Sequence, residues 1–323
     1  MSEVSIVIPN YNGISVLEAC LRSVFQQTGV SFEVMVVDNG SSDDSREFIQ
    51  EHFPQCILIC LDRNYGFCRA VNEGIRQAES PYIILLNNDT KVHPDFAKCL
   101  LDAIRKDNRR FSCAARMLQF QDQDREILDN AGDYYCALGW GIARGKGKPA
   151  EKYAREQEIF SSCAGAAIYR KDLLEKLGGF DEAHFAYLED IDLSYRAKIH
   201  GYCHWYVPDA KVWHMGSATS GSRHNHFKVI HSAQNNIYLI YKNMPLLQLF
   251  LNAPLLIAGM VIKYLFFVKK GFGRDYRKGL LCGFRLCLAN PDRKVRFCRG
   301  HVPAYVKIQL ELWKNILLFI PSL

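Results

Sequence analysis

The fold is decided near the start of the chain, by the stretch Val4-Ser5-Ile6-Val7-Ile8-Pro9-Asn10-Tyr11-Asn12-Gly13. Four of its first five residues are β-branched and apolar, which is typical of a buried strand. Proline, asparagine and glycine then end the strand. The stretch therefore predicts a buried strand that delivers small polar groups to one edge of a sheet.

Three further apolar runs repeat this pattern, at residues 32–37, 56–61 and 82–86. Between the runs, apolar residues recur at helical spacing, as in Leu17 and Leu21. Strands that alternate with helices predict an α/β fold, with a mostly parallel sheet and helices on both faces. Ligands of such sheets bind at the carboxyl ends of the strands.

Other segments have weaker patterns. A helix is expected over residues 42–53, with Ser41 and Asp44 as a capping box. Helical periodicity returns at 171–177 and 190–200. Residues 119–158 are polar and contain several glycines, and we expect a long, partly irregular loop over a site there.

Polar clusters follow three of the predicted strands, at residues 9–13, 38–43 and 87–89. A carboxylate at Asp38 can accept hydrogen bonds from a base or a ribose, and Asp89 can bind a divalent cation that bridges phosphates. Asn, Asp and Gly also form ordinary turns, which is the alternative for each cluster alone. Three clusters at successive strand ends favour a nucleotide site.

A second acidic cluster surrounds Asp190. Ile191, Tyr195 and Ile199 form one apolar helix face, which puts Asp190 at the helix N-terminus. The helix dipole there favours the ionised carboxylate and prepares it to accept a proton. Neighbouring helix positions point about 100° apart, so Glu189, Asp190 and Asp192 cannot share one role. The alternative is an acidic helix cap plus an ion pair between Asp192 and Arg196.

The charge and the cysteines limit the class of protein. Residues 263–307 contain 12 Lys and Arg against two Asp, so they carry +10, and the rest of the chain carries −4 of the total +6. This basic region predicts an acidic partner, and membrane phosphate is favoured over nucleic acid, because no aromatic-basic recognition motif is present. Twelve cysteines without a Cys-x-x-Cys pair, and no secretory leader, indicate a cytoplasmic protein with reduced thiols.

The end of the chain changes in character, and we predict a catalytic domain over 1–222 and a helical, basic and apolar region over 223–323. Residues 243–262 carry no charge, so a membrane span is one alternative, and an interfacial helix or a packed hairpin is another. One face of the last helix is apolar, along Tyr305, Ile308, Leu312, Ile316 and Phe319. It predicts peripheral membrane contact, or packing on the catalytic domain or on a second copy of the chain.

The ordered set of motifs resembles the family-2 glycosyltransferases with the GT-A fold, and the bacterial rhamnosyltransferase-like members look most similar. The resemblance covers about residues 3–245. It rests on Ile6–Gly13, Val36–Asp43, Asn64–Phe67, Leu85–Thr90, Gly178–Glu182 and Glu189–Leu193.

The resemblance implies particular site residues. Asp190 matches the catalytic base, and Asp89 with His214 matches ligands of Mg²⁺ or Mn²⁺. Asn87 replaces the first carboxylate of the family's Asp-x-Asp motif, which weakens the expected metal site. The implied donor-binding residues are Pro9, Tyr11, Asn12, Asp38, Asn39, Gly40, Asn64, Gly66, Asn87, Asn88, Asp89 and Gly165.

The implied activity is an inverting transfer of rhamnose or another hexose from a dTDP- or UDP-linked donor. The implied acceptor is a glycan or a lipid-linked glycan of a bacterial surface polysaccharide, at the inner face of the cell membrane. A dehydrogenase is disfavoured because no Gly-x-Gly-x-x-Gly turn follows a strand. A non-catalytic protein that binds a sugar nucleotide or a glycan is the alternative.

Overall fold

A computed structural model, which describes residues 2–121, 126–216 and 224–319, contains a ten-stranded mixed sheet and a separate two-stranded hairpin. In chain order the strands are β1 (Val4–Asn10), β2 (Phe32–Asp38), β3 (Ile57–Cys60), β4 (Tyr82–Leu86), β5 (Thr90–Val92), β6 (Arg110–Gln119), β7 (Leu128–Asn130), β8 (Asp133–Cys136), β9 (Trp140–Ala143), β10 (Gln157–Ile159), β11 (Ala166–Arg170) and β12 (Cys203–His214). Strands β8 and β9 form the hairpin.

The main path of the sheet runs β10-β12-β6-β11-β4-β1-β2-β3. Along this path only β10 and β11 run against the other strands, so the prediction of a mostly parallel sheet is confirmed. The register pairs Asn10 with Asp38 at the carboxyl ends of β1 and β2. Two of the polar clusters therefore lie side by side.

The helices are α1 (Ile14–Val24), α2 (Ser45–His52), α3 (Phe67–Gln77), α4 (Phe96–Arg105), α5 (Lys171–Lys176), α6 (Glu189–Ile199), α7 (His226–Asn243), α8 (Leu246–Lys269), α9 (Gly273–Ala289) and α10 (Val302–Phe319). They cover both faces of the sheet. Ile6 and Ile8 pack in one core with α1 and α4, whereas Val7 packs in a second core with α3. Burial on both faces explains why β1 is apolar without alternation.

The predicted capping box is wrong. Helix α2 begins at Ser45, and its N-cap residue, Asp44, makes no side-chain cap. The Ser41 hydroxyl instead accepts a hydrogen bond from the backbone N–H of Asn12, at 2.9 Å. Ser41 joins two strand-end turns, so it does not start the helix.

The expectation of an irregular loop over 119–158 is only partly met. The segment contains β7, the β8–β9 hairpin and β10, while residues 122–125 lie outside the described part. Its strands are three or four residues long, which is too short for a clear periodic pattern. The hairpin lies beside a cavity of about 850 Å³, as expected for a segment over a site.

The C-terminal helices pack on the sheet domain. Tyr195 of α6 donates to Gln248 of α8 at 2.6 Å, and Gly259 of α8 lies against the backbone carbonyl of Leu138. The predicted boundary at 222 and 223 falls outside the described residues, and the division into two domains stays a prediction.

The apolar face of α10 faces the protein. Tyr305, Ile308 and Leu312 are buried in a cluster with residues of β8 and α6, while the side chain of Phe319 lies outside the described part. The neighbouring face, with Val306 and Leu310, is exposed. The face with Tyr305 therefore packs on the protein, which is one of the predicted alternatives. The face with Val306 is exposed and available to another partner.

Candidate active site

A cavity of about 850 Å³ opens at the carboxyl ends of β1 and β4. The polar clusters that follow β1, β2 and β4 meet the first turn of α6 there. Of the predicted site residues, those on its wall are Pro9, Tyr11, Asn39, Asn64, Gly66, Asn87, Asn88, Asp89, Gly165, Asp190 and His214. The structure therefore brings most of the predicted residues into one place. Asn12, Asp38 and Gly40 are not on the wall.

Side-chain amides hold the strand-end turns together. Asn88 donates to the side-chain oxygen of Asn10 at 2.7 Å. Asn39 donates to the side chain of Asn64 at 3.0 Å and to the carbonyl of Gly66 at 3.1 Å. These bonds give the wall of the cavity a fixed shape.

The three predicted residues away from the wall have structural contacts. Asp38 is fully buried, forms an ion pair with Arg46 and accepts from the Ser41 backbone at 3.1 Å. Asn12 is exposed and accepts from Ser42 at 2.8 Å. Gly40 has φ +76°, and a Cβ there would lie 2.4 Å from the backbone of Arg63. Their predicted donor contacts stay predictions.

Gly165 lies beneath Asn87. Its carbonyl accepts from the Asn87 backbone at 2.9 Å, and a Cβ would lie 2.9 Å from the Asn87 side-chain nitrogen. A larger residue at 165 would therefore displace Asn87. The contact with Asn87 is therefore one reason why position 165 needs a small residue.

Asp89 and His214 form the candidate metal centre. Strand β12 pairs with β5 and brings the His214 Nε2 atom to 3.2 Å from the Asp89 Oδ1 atom. The Nδ1 atom of His214 contacts Asp129 at 2.8 Å, a partner that the sequence analysis missed. Burial disfavours the charged imidazolium of His214 and by itself would lower its pKa. The hydrogen bonds and negative charges of Asp129 and Asp89 have the larger effect and raise the pKa of His214 to about 9.

These groups fit a hard divalent cation. A carboxylate oxygen and an imidazole nitrogen lie together at an open cavity, and a carboxylate behind the imidazole is the usual way to orient such a ligand. Because the pKa of His214 is about 9, a cation that binds here must displace the proton from its Nε2 atom. Two protein ligands leave coordination positions for phosphate oxygens and water. The site therefore suits a metal that is bound together with a diphosphate.

Asp190 lies in the first turn of α6, as predicted, and accepts from the Ile191 backbone N–H at 2.7 Å. The helix N-terminus favours the ionised form as expected, but it is not the largest influence on the pKa of this carboxyl group. Burial raises the pKa of Asp190 to about 6, although the backbone N–H groups of Ile191 and Ala164 oppose the change. Desolvation outweighs the helix terminus, yet the group is still mostly ionised at pH 7.

Two other carboxyl groups adjoin Asp190. Asp133, Cys163 and Asp190 each have a ligand atom within 4.8 Å of the others. Burial and the charge of Asp190 raise the pKa of Glu189 to about 8 and the pKa of Asp133 well above its usual value. The pKa of Asp190 therefore stays below that of Glu189. The sequence analysis missed Asp133.

Asp192 has a different role, as predicted. It forms the expected ion pair with Arg196 at 2.9 Å, and Lys242 and Asn243 of α7 also bind its carboxylate. Burial would raise the pKa of Asp192, but Lys242 and Arg196 hold it well below its usual value. This carboxylate joins α6 to α7.

Residues 5–178 match the family model described as glycosyl transferase family 2. The chain belongs to this family. It is therefore a glycosyltransferase.

Relatives with known names share this region. The N-acetylglucosaminyl-diphospho-decaprenol L-rhamnosyltransferase of Mycobacterium tuberculosis is 27% identical over 228 residues, which are 64% of this chain and 73% of the relative. The chondroitin synthase of Escherichia coli is 31% identical over 129 residues, which are 39% of this chain and 19% of the relative.

Solved structures confirm the GT-A fold. GalNAc-T7 with UDP, GalNAc and Mn²⁺ has a TM-score of 0.60 at 17% identity and covers 75% of this chain, but this chain covers 48% of it. The Pyrobaculum calidifontis mannosyltransferase with GDP-Man and Mn²⁺ has a TM-score of 0.54 at 18% identity, with coverage of 90% and 87%. At these identities the likeness concerns the fold alone.

Proposed function

We propose that the chain transfers a sugar from a nucleotide-diphosphate donor to an acceptor hydroxyl, with inversion at the anomeric carbon. The observation that carries the proposal is one cavity that contains both the Asp89–His214 pair and Asp190, whose pKa is about 6. A base whose pKa lies just below the working pH is ionised and still able to take a proton.

The proposed reaction is a single displacement. The acceptor oxygen forms a bond to the anomeric carbon, the bond from that carbon to the diphosphate oxygen breaks, and the acceptor proton passes to Asp190. Asp89 and His214 would hold the Mg²⁺ or Mn²⁺, which supplies positive charge that stabilises the departing diphosphate. Asp129 keeps His214 oriented.

The donor and acceptor are proposed from the relatives. A dTDP-linked 6-deoxyhexose such as rhamnose is favoured by the M. tuberculosis rhamnosyltransferase, and UDP-sugars come next, because a solved relative holds UDP. The same rhamnosyltransferase is named for a diphospho-decaprenol acceptor, which supports a lipid-linked glycan. The proposed setting is surface polysaccharide synthesis on the cytoplasmic side of the membrane.

We include peripheral membrane contact in this proposal. Helices α8, α9 and α10 expose many large apolar side chains, namely Leu246, Leu247, Phe250, Leu251, Ile257, Val261, Ile262, Leu265, Phe266, Val268, Leu281, Phe284, Leu288, Val302, Val306, Leu310, Trp313, Leu317 and Leu318. We call these residues the apolar surface. Exposed basic residues such as Lys269, Arg277 and Arg285 lie on the same helices. Apolar side chains and positive charge together suit an anionic bilayer.

Contact with one face of the bilayer is favoured over a span. Helix α8 is the one described helix that is long and apolar enough to cross a membrane. However, Gln248 and Asn252 are buried on its other face, where Gln248 bonds Tyr195 and Asn252 bonds Gln309 of α10. A helix held along the catalytic domain by polar bonds suits the membrane surface better than its interior.

A panel of sugar nucleotides tests the function. We expect a dTDP- or UDP-sugar, with Mg²⁺ or Mn²⁺, to raise the melting temperature, and nucleoside diphosphate to be released when a lipid-linked GlcNAc acceptor is added. Asp89→Ala should abolish the metal-dependent part of the thermal shift. Donor binding without acceptor-dependent release from any donor in the panel would support a non-catalytic binding protein instead.

A further inference from the structure

One side chain of helix α7 donates hydrogen bonds to three backbone carbonyls of the loop that leads to Asp190. Asn235 is fully buried, and its side-chain nitrogen donates to the backbone carbonyls of His184, Ala186 and Tyr187, each at 2.8 Å. One amide group has two N–H donors, so three carbonyls converge on it and share them. Helix α6 and Asp190 follow directly after these carbonyls.

The backbone of this loop needs such support. Phe185, Tyr187 and Leu188 have φ values of 60°, 74° and 65°, which side-chain-bearing residues rarely adopt. Such conformations persist only where the surroundings hold them, and they often occur beside active sites. Leu188 is also the N-cap residue of α6. The strained stretch therefore ends where the helix of Asp190 begins.

Helix α7 is itself fixed. Lys242 of α7 bonds Asp181 at 2.6 Å and Asp192 at 2.9 Å, and these acidic residues lie on either side of the loop. On its other side, α7 packs closely against Gly279 and Gly283 of α9. Because α7 is held in place at these contacts, Asn235 can fix the position of the loop.

We propose that Asn235 is a positioning residue for Asp190. It holds the loop 184–188, in which Phe185, Tyr187 and Leu188 have positive φ, and so keeps the carboxylate of Asp190 directed into the cavity. The proposal rests on the proposed role of Asp190 as the base. It also places a functional residue on α7. This helix lies outside residues 5–178, which match the family model, and inside the predicted C-terminal region 223–323.

The test compares Asn235→Ala and Asn235→Asp with Asn236→Ala. Asn235→Asp keeps the shape but removes the N–H donors. Asn236 is a matched control because it is the next residue of the same helix, is also buried, and bonds the hydroxyl of Tyr135 and not the loop. Hydrogen exchange over 184–190, binding of UDP and dTDP with Mn²⁺, and transfer with the best donor and acceptor of the panel are measured.

Both Asn235 variants should exchange faster over 184–190 and lose about 10–100-fold in kcat, because a small displacement of a reacting group is costly. Nucleotide binding and donor KM should stay within about twofold of the wild type. In Asn235→Ala, water that enters the loosened loop should also lower the pKa seen in the pH profile of transfer, from about 6 towards the ordinary aspartate value. Asn236→Ala should show none of these changes.

Two results would overturn the proposal. One is unchanged exchange over 184–190 in both Asn235 variants, and the other is a kcat loss no greater than that of Asn236→Ala. A separate Asp190→Asn measurement distinguishes this failure from failure of the proposed function. If Asp190→Asn retains full transfer, the base assignment fails; if it is inactive while Asn235→Ala is normal, only the role of Asn235 fails.

Discussion

Asp190 lies beside two other carboxyl groups, those of Glu189 and Asp133, and burial raises the pKa of all three. The pKa values of Asp190 and Glu189 are raised to about 6 and about 8, and that of Asp133 is raised well above its usual value. Closely spaced carboxylates resist simultaneous ionisation, so near pH 7 Asp190 is ionised in preference to Glu189. One proton acceptor beside a neutral glutamic acid suits a single-displacement reaction.

Glu189 gives a prediction about stability. Its pKa is about 8 in the folded chain against an ordinary 4.5, so the folded state binds its proton more tightly, and stability falls as pH rises from about 4.5 to about 8. Glu189→Gln cannot ionise and should be more stable than the wild type at about pH 8.5, by roughly 1–3 kcal/mol, and similar to it near pH 4.5. Urea unfolding at both pH values measures this difference.

The matched control for Glu189→Gln is Glu18→Gln, because Glu18 is an exposed glutamate on α1. This control should change stability little at either pH. A Glu189→Gln variant that is no more stable than the wild type at high pH would show that Glu189 is not held neutral by its surroundings.

Sequence patterns identified some site residues and not others, for a physical reason. Asp89 and Asp190 stand directly beside a strong strand and a strong helix, so their positions follow from local periodicity. Asp129 and Asp133 stand on strands of three and four residues. Asp129 reaches His214 across 85 residues of sequence, through pairing of β7 with β6. Local pattern contains no information about such pairing.

At the scale of elements, the α7–α9 contact depends on glycine. A Cβ at Gly283 would lie 2.7 Å from the carbonyl of Gln234 and from the Cβ of Ile237. Gly283→Ala should therefore lower the free energy of unfolding by about 1–3 kcal/mol, because a close backbone contact must open. Thermal and urea unfolding measure the change.

Gly300→Ala is the control for this contact. Gly300 is in the same region, and its nearest neighbouring atom would be 3.7 Å from an added Cβ. Equal stability of Gly283→Ala and the wild type would mean that α7 and α9 are less closely packed than described.

Helix α10 shows what periodicity can and cannot predict about an element. The pattern correctly predicted a helix with an apolar face. It could not say which face meets the protein, because burial depends on where β8 and α6 lie in space. The same limit applies to α8, whose lack of charge allowed a span, a surface helix or a packed helix.

At the scale of the whole molecule, the apolar surface predicts membrane binding. The protein should float with anionic vesicles at low salt and less at high salt, because the basic residues contribute through screened attraction. Phe250→Glu should weaken flotation, since this side chain is 80% exposed. Ile57→Glu is the control, because Ile57 is an exposed apolar residue of β3, outside the C-terminal helices. Equal flotation of both variants, or none by the wild type, would contradict the assignment.

We propose that the sheet edge, the N-terminus of α6 and the C-terminal helices all serve one transfer reaction. The most direct test is acceptor-dependent release of nucleoside diphosphate by the wild type and by Asp190→Asn, with nucleotide binding measured in parallel. We predict a loss of about 10²–10⁴-fold in the variant, with unchanged binding of UDP or dTDP, because the base acts only in the transition state. Release by Asp190→Asn at close to the wild-type rate would contradict the account.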